Sequence, residues 1–417
     1  MHQDTAAARA ESVARASYGR LLALLAAPAG DIASAEDALA DGFERALRTW
    51  PATGIPENPD GWLLTVARNR LRDRWRSAAY RTSGPLEGAV DAIAEGLDTG
   101  AIPDRRLELM FVCAHPAVDA GVRTPLMLAT VLGFESRQIA AAFAIPEPAM
   151  AQRLVRAKRR IRAARIPFVV PERPDLPARL PAVLEAIYGA YAIDWQVVSG
   201  RTERDSLAAE SLYLAATLAT LLDGEPEALG LAALISLSIA RSGARSDTEG
   251  RLVPLDEQDT TRWDPALIAQ GETLLQRAHT LGRIGRFQLE AAIQSVHCAR
   301  ARSGATDWAA LLTLSRTLVR VAPTLGAQVS LAATTAEAEG PAAGLALLDA
   351  LDTPAALRFQ PLWATRAHLL ARTGQVQAAA LAYTKAISLS ADPAIRAHLQ
   401  SQARALDRRG HRADQVD

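Results

Sequence analysis

Alanine and leucine recur at intervals of three and four residues along most of the chain, and glycine and proline fall between these stretches. That spacing predicts amphipathic helices separated by turns. Almost no stretch alternates apolar and polar residues as a half-buried strand would. We therefore expect an all-α protein.

The most informative pattern lies between Arg137 and Arg165. A short apolar helix is predicted over 138–143, and Pro146 ends it because proline cannot extend a helix. The next helix has an apolar stripe at three- and four-residue spacing, made of Met150, Leu154, Ala157 and Ile161. Its other faces are basic. Together these features predict a helix-turn-helix whose second helix enters the DNA major groove, the alternative being a solvated cationic helix.

An acidic helix is predicted near the N-terminus, after a first helix over 6–27. It runs over 35–50 and can be capped by Ser34, with negative charge in its first turn. One face is apolar. The other carries acids, namely Glu36, Asp37, Asp41 and Glu44. For each acid taken singly, an ordinary solvated helix face is the alternative.

A strongly basic helix follows a loop rich in proline and glycine. The loop covers 51–61 and the helix covers 62–76, with the sequence WLLTVARNRLRDRWR. Arginines alongside Trp62 and Trp75 suit phosphate contacts combined with stacking on unpaired bases. The alternative is that the tryptophans belong to the core beneath an arginine-coated surface.

Glycine and proline also predict the domain boundaries. Residues 81–103 are glycine-rich and acidic and predict a flexible linker, and repeated prolines over 167–181 predict a stiff, extended hinge. We expect domains over 1–80, 104–166 and 182–417. Further helices are predicted over 105–114, 120–131, 179–192, 206–222, 226–241, 265–281, 287–302 and 308–321.

Net charge, cysteine content and the absence of some motifs limit the classes of function that the chain can have. The chain has 417 residues and no formal net charge, so any DNA affinity must come from local basic helices. The two cysteines, Cys113 and Cys298, indicate buried thiols in a reducing cytoplasm. No run suggests a membrane span, and no motif predicts a cofactor or a metal. We expect a soluble, cytoplasmic protein.

Three of these segments together resemble an extracytoplasmic-function sigma factor of bacterial RNA polymerase, of the sigma-70 family. The acidic helix AEDALADGFERALRTW resembles the helix that docks on the polymerase β′ clamp helices. PENPDGWLLTVARNRLRDRWR resembles the promoter-melting and −10-reading segment. The predicted helix-turn-helix resembles sigma domain four, which binds the β flap and reads the −35 element. The resemblance covers about the first 165 residues and implies a non-enzymatic role.

The resemblance implies three sets of site residues. The expected core-polymerase contacts are Glu36, Asp37, Asp41, Phe43 and Glu44. The expected −10 DNA contacts are Trp62, Arg68, Asn69, Arg72, Asp73 and Arg76. The expected −35 base contacts are Ala151, Gln152, Arg153 and Arg156, and the expected phosphate contacts are Lys158, Arg159 and Arg162.

The remainder resembles a sigma subgroup with a fused tetratricopeptide-type domain. Blocks such as DEQDTTRWDPALI and EGPAAGLALLDAL carry that resemblance. From Leu362 onward, residues fall at positions that a 34-residue repeat uses for two packed helices; they are Trp363, Ala367, Gly374, Ala379, Tyr383 and Ala386. Such an α-solenoid offers a concave surface, and we expect it to regulate the sigma module by docking on it, on polymerase or on a protein partner.

The sequence leaves two other classes of function to consider, a transcriptional regulator and an enzyme. A helix-turn-helix regulator with a helical sensing domain would have no reason to carry the acidic helix and the GWLLTVARN block. An enzyme could use Cys113, His115 and Asp119, or a metal at Asp256, Glu257 and Asp259. No nucleophile or metal-site spacing supports either set.

Overall fold

The computed structural model describes residues 2–82, 104–143, 145–195 and 201–413. The chain forms two compact units, residues 1–190 and residues 191–417. Within the described ranges every regular element is a helix, apart from one isolated bridge between Ser246 and Leu252. The all-α prediction is confirmed.

Three long helices open the first unit: α1 (His2–Ala29), α2 (Ile32–Thr53) and α3 (Pro59–Thr82). Each of them contacts the other two. Ser34 is not the N-cap of α2, contrary to the prediction. Asp31 caps the helix three residues earlier, because its carboxylate accepts hydrogen bonds from the Ala33 backbone N at 3.2 Å and from the Ser34 hydroxyl at 2.7 Å.

Four shorter helices follow: α4 (Arg106–Cys113), α5 (Ala120–Thr130), α6 (Ser136–Ala142) and α7 (Glu147–Ala163). The short-helix, turn, basic-helix order predicted from the sequence is present in α6 and α7. The apolar stripe of α7 is buried as expected. The predicted linker falls almost entirely on 83–103, outside the described residues, as does Ala144 in the predicted turn.

The predicted extended hinge is wrong from residue 176 onward. A 3-10 turn at Arg173–Asp175 leads directly into α8 (Leu176–Trp195), which contains both Pro177 and Pro181. Pro177 is the second residue of the helix, where a missing backbone N–H costs nothing. The compact units therefore divide at residue 190, and not in the proline-rich segment.

Ten helices follow α8 within the described residues 201–413. They are α9 (Arg201–Leu221), α10 (Pro226–Ile239), α11 (Pro265–Thr280), α12 (Arg286–Ser303), α13 (Trp308–Val321), α14 (Leu325–Ala338), α15 (Pro341–Asp349), α16 (Gln360–Arg372), α17 (Val376–Leu389) and α18 (Pro393–Ala413). From α9 onward each helix contacts the next. Such neighbour-to-neighbour packing is typical of a solenoid.

The core of the second unit passes from one helix pair to the next. Leu289 and Leu311 belong to a cluster shared by α12, α13 and α14. Trp363 packs both against the cluster of α14 to α16 and against that of α16 to α18. The small residues predicted to let α16 and α17 approach, Ala367 and Ala379, are fully buried. The tetratricopeptide assignment itself stays a prediction.

One helical stretch contradicts the expectation that no run suggests a membrane span. Residues Pro226–Ala244, which include α10, are long and apolar enough to cross a membrane, because serine, glycine and alanine replace charged residues there. Most of this stretch is buried inside the second unit. The core helix of a soluble protein has the same composition, so the stretch is weak evidence for a span.

Candidate nucleic-acid interface

Helix α3 separates its residues by face. Successive residues rotate by about 100°, so Leu63, Ala67 and Leu71 fall on one side, and all three are buried. The predicted −10 residues share the opposite, broad face; they are Trp62, Arg68, Asn69, Arg72, Asp73 and Arg76. Asn69, Asp73 and Arg76 are exposed, and the rest are half-buried. The structure therefore brings this predicted set together on one surface.

Two other arginines of α3 face α2 instead. Arg70 Nε lies 2.5 Å from Asp41 Oδ2, and Arg74 Nη1 lies 3.0 Å from Asp37 Oδ2. Asp37 and Asp41 therefore already have cationic partners within the first unit. The acidic side chains predicted to contact polymerase are therefore not a single surface of carboxylates without ion-pair partners. Sequence reading missed this because the partner arginines lie 29 and 37 residues away.

Arg68 differs from those two arginines in its surroundings. Burial lowers the pKa of its guanidinium, and its Nε is buried without a hydrogen-bond partner among the described residues. A partly desolvated guanidinium with no carboxylate gains a charge-assisted bond when a phosphate approaches. Arg68 therefore has a clearer electrostatic reason to bind DNA than its neighbour Asn69, which carries no charge.

The start of α3 is fixed from outside the helix. Asn58 Oδ1 accepts a hydrogen bond from the Gly61 backbone N at 2.9 Å, and Trp62 meets Trp50 edge-to-face at 5.5 Å between ring centroids. Asp60 accepts hydrogen bonds from Ser17 at 2.8 Å and Arg20 at 2.9 Å, both on α1. Sequence reading did not find Ser17, Arg20 or Asp60, because only the fold joins these segments.

Helix α7 presents part of its predicted DNA set to solvent. Gln152, Arg153, Arg156 and Arg159 are exposed. The first turn of the helix is fixed by Pro146 at its N-cap, and Pro148 lies within that turn. A continuous exposed strip of one glutamine and three arginines fits base edges and phosphates in a major groove.

Lys158 and Arg162 lie elsewhere, although they were predicted to touch phosphates. Lys158 Nζ is 2.6 Å from both carboxylate oxygens of Glu36 on α2. Arg162 Nη1 is 3.1 Å from Asp31 Oδ2. At about 100° per residue, Lys158 and Arg162 fall on the same side of α7 as Ala151, away from Arg153 and Arg156. In this arrangement they contact helix α2.

Cys113 and Asp259, two of the residues that an enzyme could use, lie in surroundings that favour structural roles. Burial raises the pKa of the Cys113 thiol to about 12, which opposes formation of a thiolate. Asp259 accepts hydrogen bonds from the Thr261 backbone N and hydroxyl, and so caps a short 3-10 turn. Throughout the described part of the chain, no group of three or more histidine, cysteine or acidic side chains could hold a metal ion.

The helices that carry the α2 and α3 surfaces match a known family, whereas α7 lies outside the matched residues. Residues 13–81, which span most of α1 and all of α2 and α3 up to Arg81, match sigma-70 region 2. The chain belongs to the sigma-70 family. Proteins of this family are non-enzymatic factors that act with core RNA polymerase in promoter recognition and transcription initiation.

The remaining comparisons concern the rest of this sigma-70 protein. Residues 179–279 match a family of unknown function (DUF6596). The chain is 34% identical over 376 residues to an uncharacterized protein of Rhizobium meliloti (strain 1021), and the alignment covers 88% of this chain and 89% of that relative. The two proteins therefore share one architecture along nearly their whole length. No solved structure matches the chain.

Proposed function

We propose that this sigma-70 protein is a promoter-specificity factor of the extracytoplasmic-function group. Residues 1–80 would dock on core polymerase and hold the melted −10 strand, and residues 104–166 would read the −35 element. The observation that carries the proposal is the contrast between the two faces of α3. The apolar face is buried in the core, whereas the opposite face carries a row of arginines, Arg68, Arg72 and Arg76, that are half-buried or exposed.

The −10 strand would lie along that outward row. Arg72 and Arg76 form no ion pair with any described residue, so two cations remain for backbone phosphates beside Arg68. Asn69 is exposed between them and can donate to or accept from a base edge. Trp62, half-buried against Trp50, would stack a base that leaves the duplex.

The −35 element would meet the N-terminal half of α7. Gln152 can bind adenine bidentately, and Arg153 and Arg156 can bind guanine in the same way. Arg159 lies farther along the exposed strip and would contact phosphate. The β′ clamp helices would contact α2 through Asp37, Asp41, Glu44 and half-buried Phe43. The acids would then release their arginine partners within the first unit and pair with basic side chains of polymerase.

The second unit would regulate this module through a protein partner. A groove of about 780 Å³ lies between α15, α16 and α17. Leu345, Trp363 and Leu370 give it apolar surface, and Lys385 supplies a cation. Arg366 and Asp349 on the same lining pair with each other, so Lys385 leaves the groove with a net positive charge. An apolar floor with one such cation suits a peptide segment with an acidic residue. The protein would act in the cytoplasm, where its promoter is.

Transcription in a purified system tests the proposed function. The full chain is added to core bacterial RNA polymerase on genomic fragments, and the 5′ ends of the transcripts are mapped. We expect new start sites that share −10 and −35 sequences, and weak binding of promoter duplex without polymerase. Absence of new start sites would reject the sigma role, and tight duplex binding by the chain alone would favour a helix-turn-helix regulator.

A further inference from the structure

An arginine lies in the interior of the second unit without a carboxylate partner. Arg241 follows the C-terminal end of α10 and is 5% exposed. Its Nη2 donates a hydrogen bond to Gln294 Oε1 on α12, whereas its Nε is buried with no hydrogen-bond partner among the described residues. Burial lowers the pKa of the guanidinium, and no carboxylate is among the groups whose charges act on it. Arg241 is therefore a buried cation that the described carboxylates do not neutralise.

A second arginine brings more positive charge to the same region. The Arg300 guanidinium lies over the ring of Trp263, 5.1 Å from the ring centroid, and its Nη2 donates to the Gln258 backbone oxygen at 2.8 Å. Neither of these partners carries a negative charge. The charge of Arg300 also acts on Arg241 and opposes its protonation. Two like charges therefore share one part of the unit.

The cluster forms where α12 packs against α10 and the loop that precedes α11. The Asp264 backbone N donates to the Ala240 carbonyl oxygen at 2.8 Å, so Trp263 and Arg241, next to them in the chain, are neighbours in space. Three half-buried side chains recur every third residue of α12 and share one broad face, namely Gln294, His297 and Arg300. Because they are only half-buried, solvent reaches the cluster from the side of α12. We call Arg241, Trp263 and these three residues the Arg241 site.

The residues of the Arg241 site supply hydrogen-bond donors and positive charge but no acidic group. Trp263 is 4% exposed, and its Nε1 is buried with no hydrogen-bond partner among the described residues. Burial, with the charges of Arg241 and Arg300, lowers the pKa of His297 to about 4, so the imidazole is neutral near pH 7. The site therefore combines two guanidinium charges with unused N–H groups on Arg241 and Trp263.

Burial of these charges is unfavourable unless an anion accompanies them. Arginine stays protonated in proteins, so Arg241 cannot become neutral. A buried charge that lacks its partner is much more costly than a buried pair. The C-terminal end of α10 contributes the equivalent of roughly half a negative charge beside Arg241. Most of the positive charge is left unbalanced, and a doubly charged anion would neutralise it.

We propose that the Arg241 site binds the phosphate group of a small molecule, with Arg241 and Arg300 as its two cationic contacts. A phosphate group carries about 1.5–2 negative charges near pH 7, which matches the two guanidinium groups. Its oxygens accept paired hydrogen bonds from a guanidinium fork, and the unpartnered Nε of Arg241 belongs to such a fork. Inorganic phosphate and phosphate monoesters share this chemistry. Such a site is independent of the proposed sigma function, because its occupancy is measured without polymerase.

Equilibrium binding to the full chain tests the site. Isothermal titration calorimetry compares inorganic phosphate, glycerol phosphate and succinate at one ionic strength, with chloride as the buffer anion. We expect inorganic phosphate or glycerol phosphate to bind in a one-to-one ratio, and the tighter of the two identifies the source of the phosphate group. Tighter binding of succinate than of either would overturn the phosphate assignment. Absence of binding by all three would overturn the site itself.

Arg241→Met removes the charge and keeps much of the aliphatic volume. We expect it to weaken binding of the tighter phosphate compound at least about tenfold, because a charge-assisted hydrogen bond is lost. Arg302→Met is the matched control on α12, since Arg302 is exposed and pairs with Glu272 outside the site. The control should keep the wild-type affinity. Equal losses in the two variants would mean that the anion is attracted by surface charge and not by the Arg241 site.

Thermal unfolding of the full chain distinguishes an anion site from an arginine that only supports the fold. In phosphate-free buffer, Arg241→Met should unfold at the wild-type temperature or above it, because a buried, uncompensated charge is removed. The tighter phosphate compound should raise the unfolding temperature of the wild type and of Arg302→Met, but not that of Arg241→Met. A lower temperature for Arg241→Met in phosphate-free buffer, together with a wild-type rise when the compound is added, would contradict the proposal.

Arg300→Gln provides a second test if Arg241→Met does not fold. Arg300 is half-buried, and its contacts are with a ring and a backbone oxygen, so its loss disturbs the interior less. We expect this variant also to bind the phosphate compound at least about tenfold more weakly. Unchanged affinity in folded Arg300→Gln would show that the two arginines do not share a ligand, and the proposed site would then be wrong.

Discussion

Arg74 on α3 donates through Nη1 to Asp37 Oδ2 on α2 at 3.0 Å, across two helices that the chain connects through a proline-rich loop. Arg68 lies six residues earlier on the same helix and has no such carboxylate. The two arginines therefore differ in what binding DNA would cost them. Arg74 must first give up its partner, whereas Arg68 gains one.

This contrast predicts unequal effects on promoter melting. We expect Arg68→Ala to reduce formation of the melted complex by roughly 10- to 100-fold, because a charge-assisted bond to phosphate contributes about 1.5–3 kcal/mol. Arg74→Ala removes an exposed ion pair, which contributes about 0–1 kcal/mol, and should change melting little. Permanganate reactivity of unpaired thymines measures melting in both variants. Equal losses would show that α3 binds DNA through a different face.

The exposed strip of α7 gives a prediction about sequence preference. Arg153→Ala should lose roughly 1–3 kcal/mol on the preferred −35 sequence and discriminate less among variants of that sequence. Arg159→Ala should weaken all of them similarly, since a phosphate contact carries no base information. Transcription from a panel of −35 variants with saturating polymerase separates the two results. Uniform losses for both residues would mean that their roles are assigned wrongly.

The hydrogen bonds of Glu227 predict that its removal destabilises the second unit. Its carboxylate, on α10, accepts hydrogen bonds from the backbone N of Phe287 at 2.9 Å and of Gln288 at 3.2 Å, and so caps the first turn of α12. Glu227→Ala should lower the free energy of unfolding by roughly 1–3 kcal/mol, measured in urea. Glu339→Ala, which removes an exposed pair with Arg316, should cost under about 1 kcal/mol. Similar costs would argue against the cap.

The lowered pKa of His297 predicts that the second unit loses stability as the pH falls. Burial, with the charges of Arg241 and Arg300, lowers the pKa of His297 from 6.5 to about 4, and Trp308 covers the ring edge-to-face. Between pH 6.5 and 4 the unfolded chain is protonated at this residue and the folded chain is not. Its contribution to stability is therefore complete above pH 6.5 and is lost as the pH falls toward 4, by up to roughly 3 kcal/mol.

The variant His297→Gln isolates that contribution. Urea unfolding of the wild type and of the variant is compared at pH 7 and pH 5, and the other titrating groups cancel in the difference. We expect the wild type to lose more stability than the variant between these two values. Identical losses would show that His297 is not the group responsible.

Helix positions were largely accessible from the sequence, and their ends were less so. The basic helix α7 and the later helix α13 fall where apolar spacing predicted them. Helices α14, α15 and α18 were not predicted; the alanine-rich sequences of α14 and α15 give little contrast between faces. The predicted N-cap of α2 was wrong because Asp31 can cap a helix as well as Ser34 can. The predicted hinge was wrong because proline is compatible with the first turn of a helix as well as with an extended segment.

The sequence alone determined that this sigma-70 protein is helical, that α3 and α7 are basic, and which residues of each helix share a face. Those properties depend on periodicity over a few turns, and a turn of helix is set by its own residues. Only the tertiary structure decided which cations are already paired. Lys158 meets Glu36 across 122 residues, and Gly19 meets Val131, because packing of whole helices brings them together. No local pattern encodes such contacts.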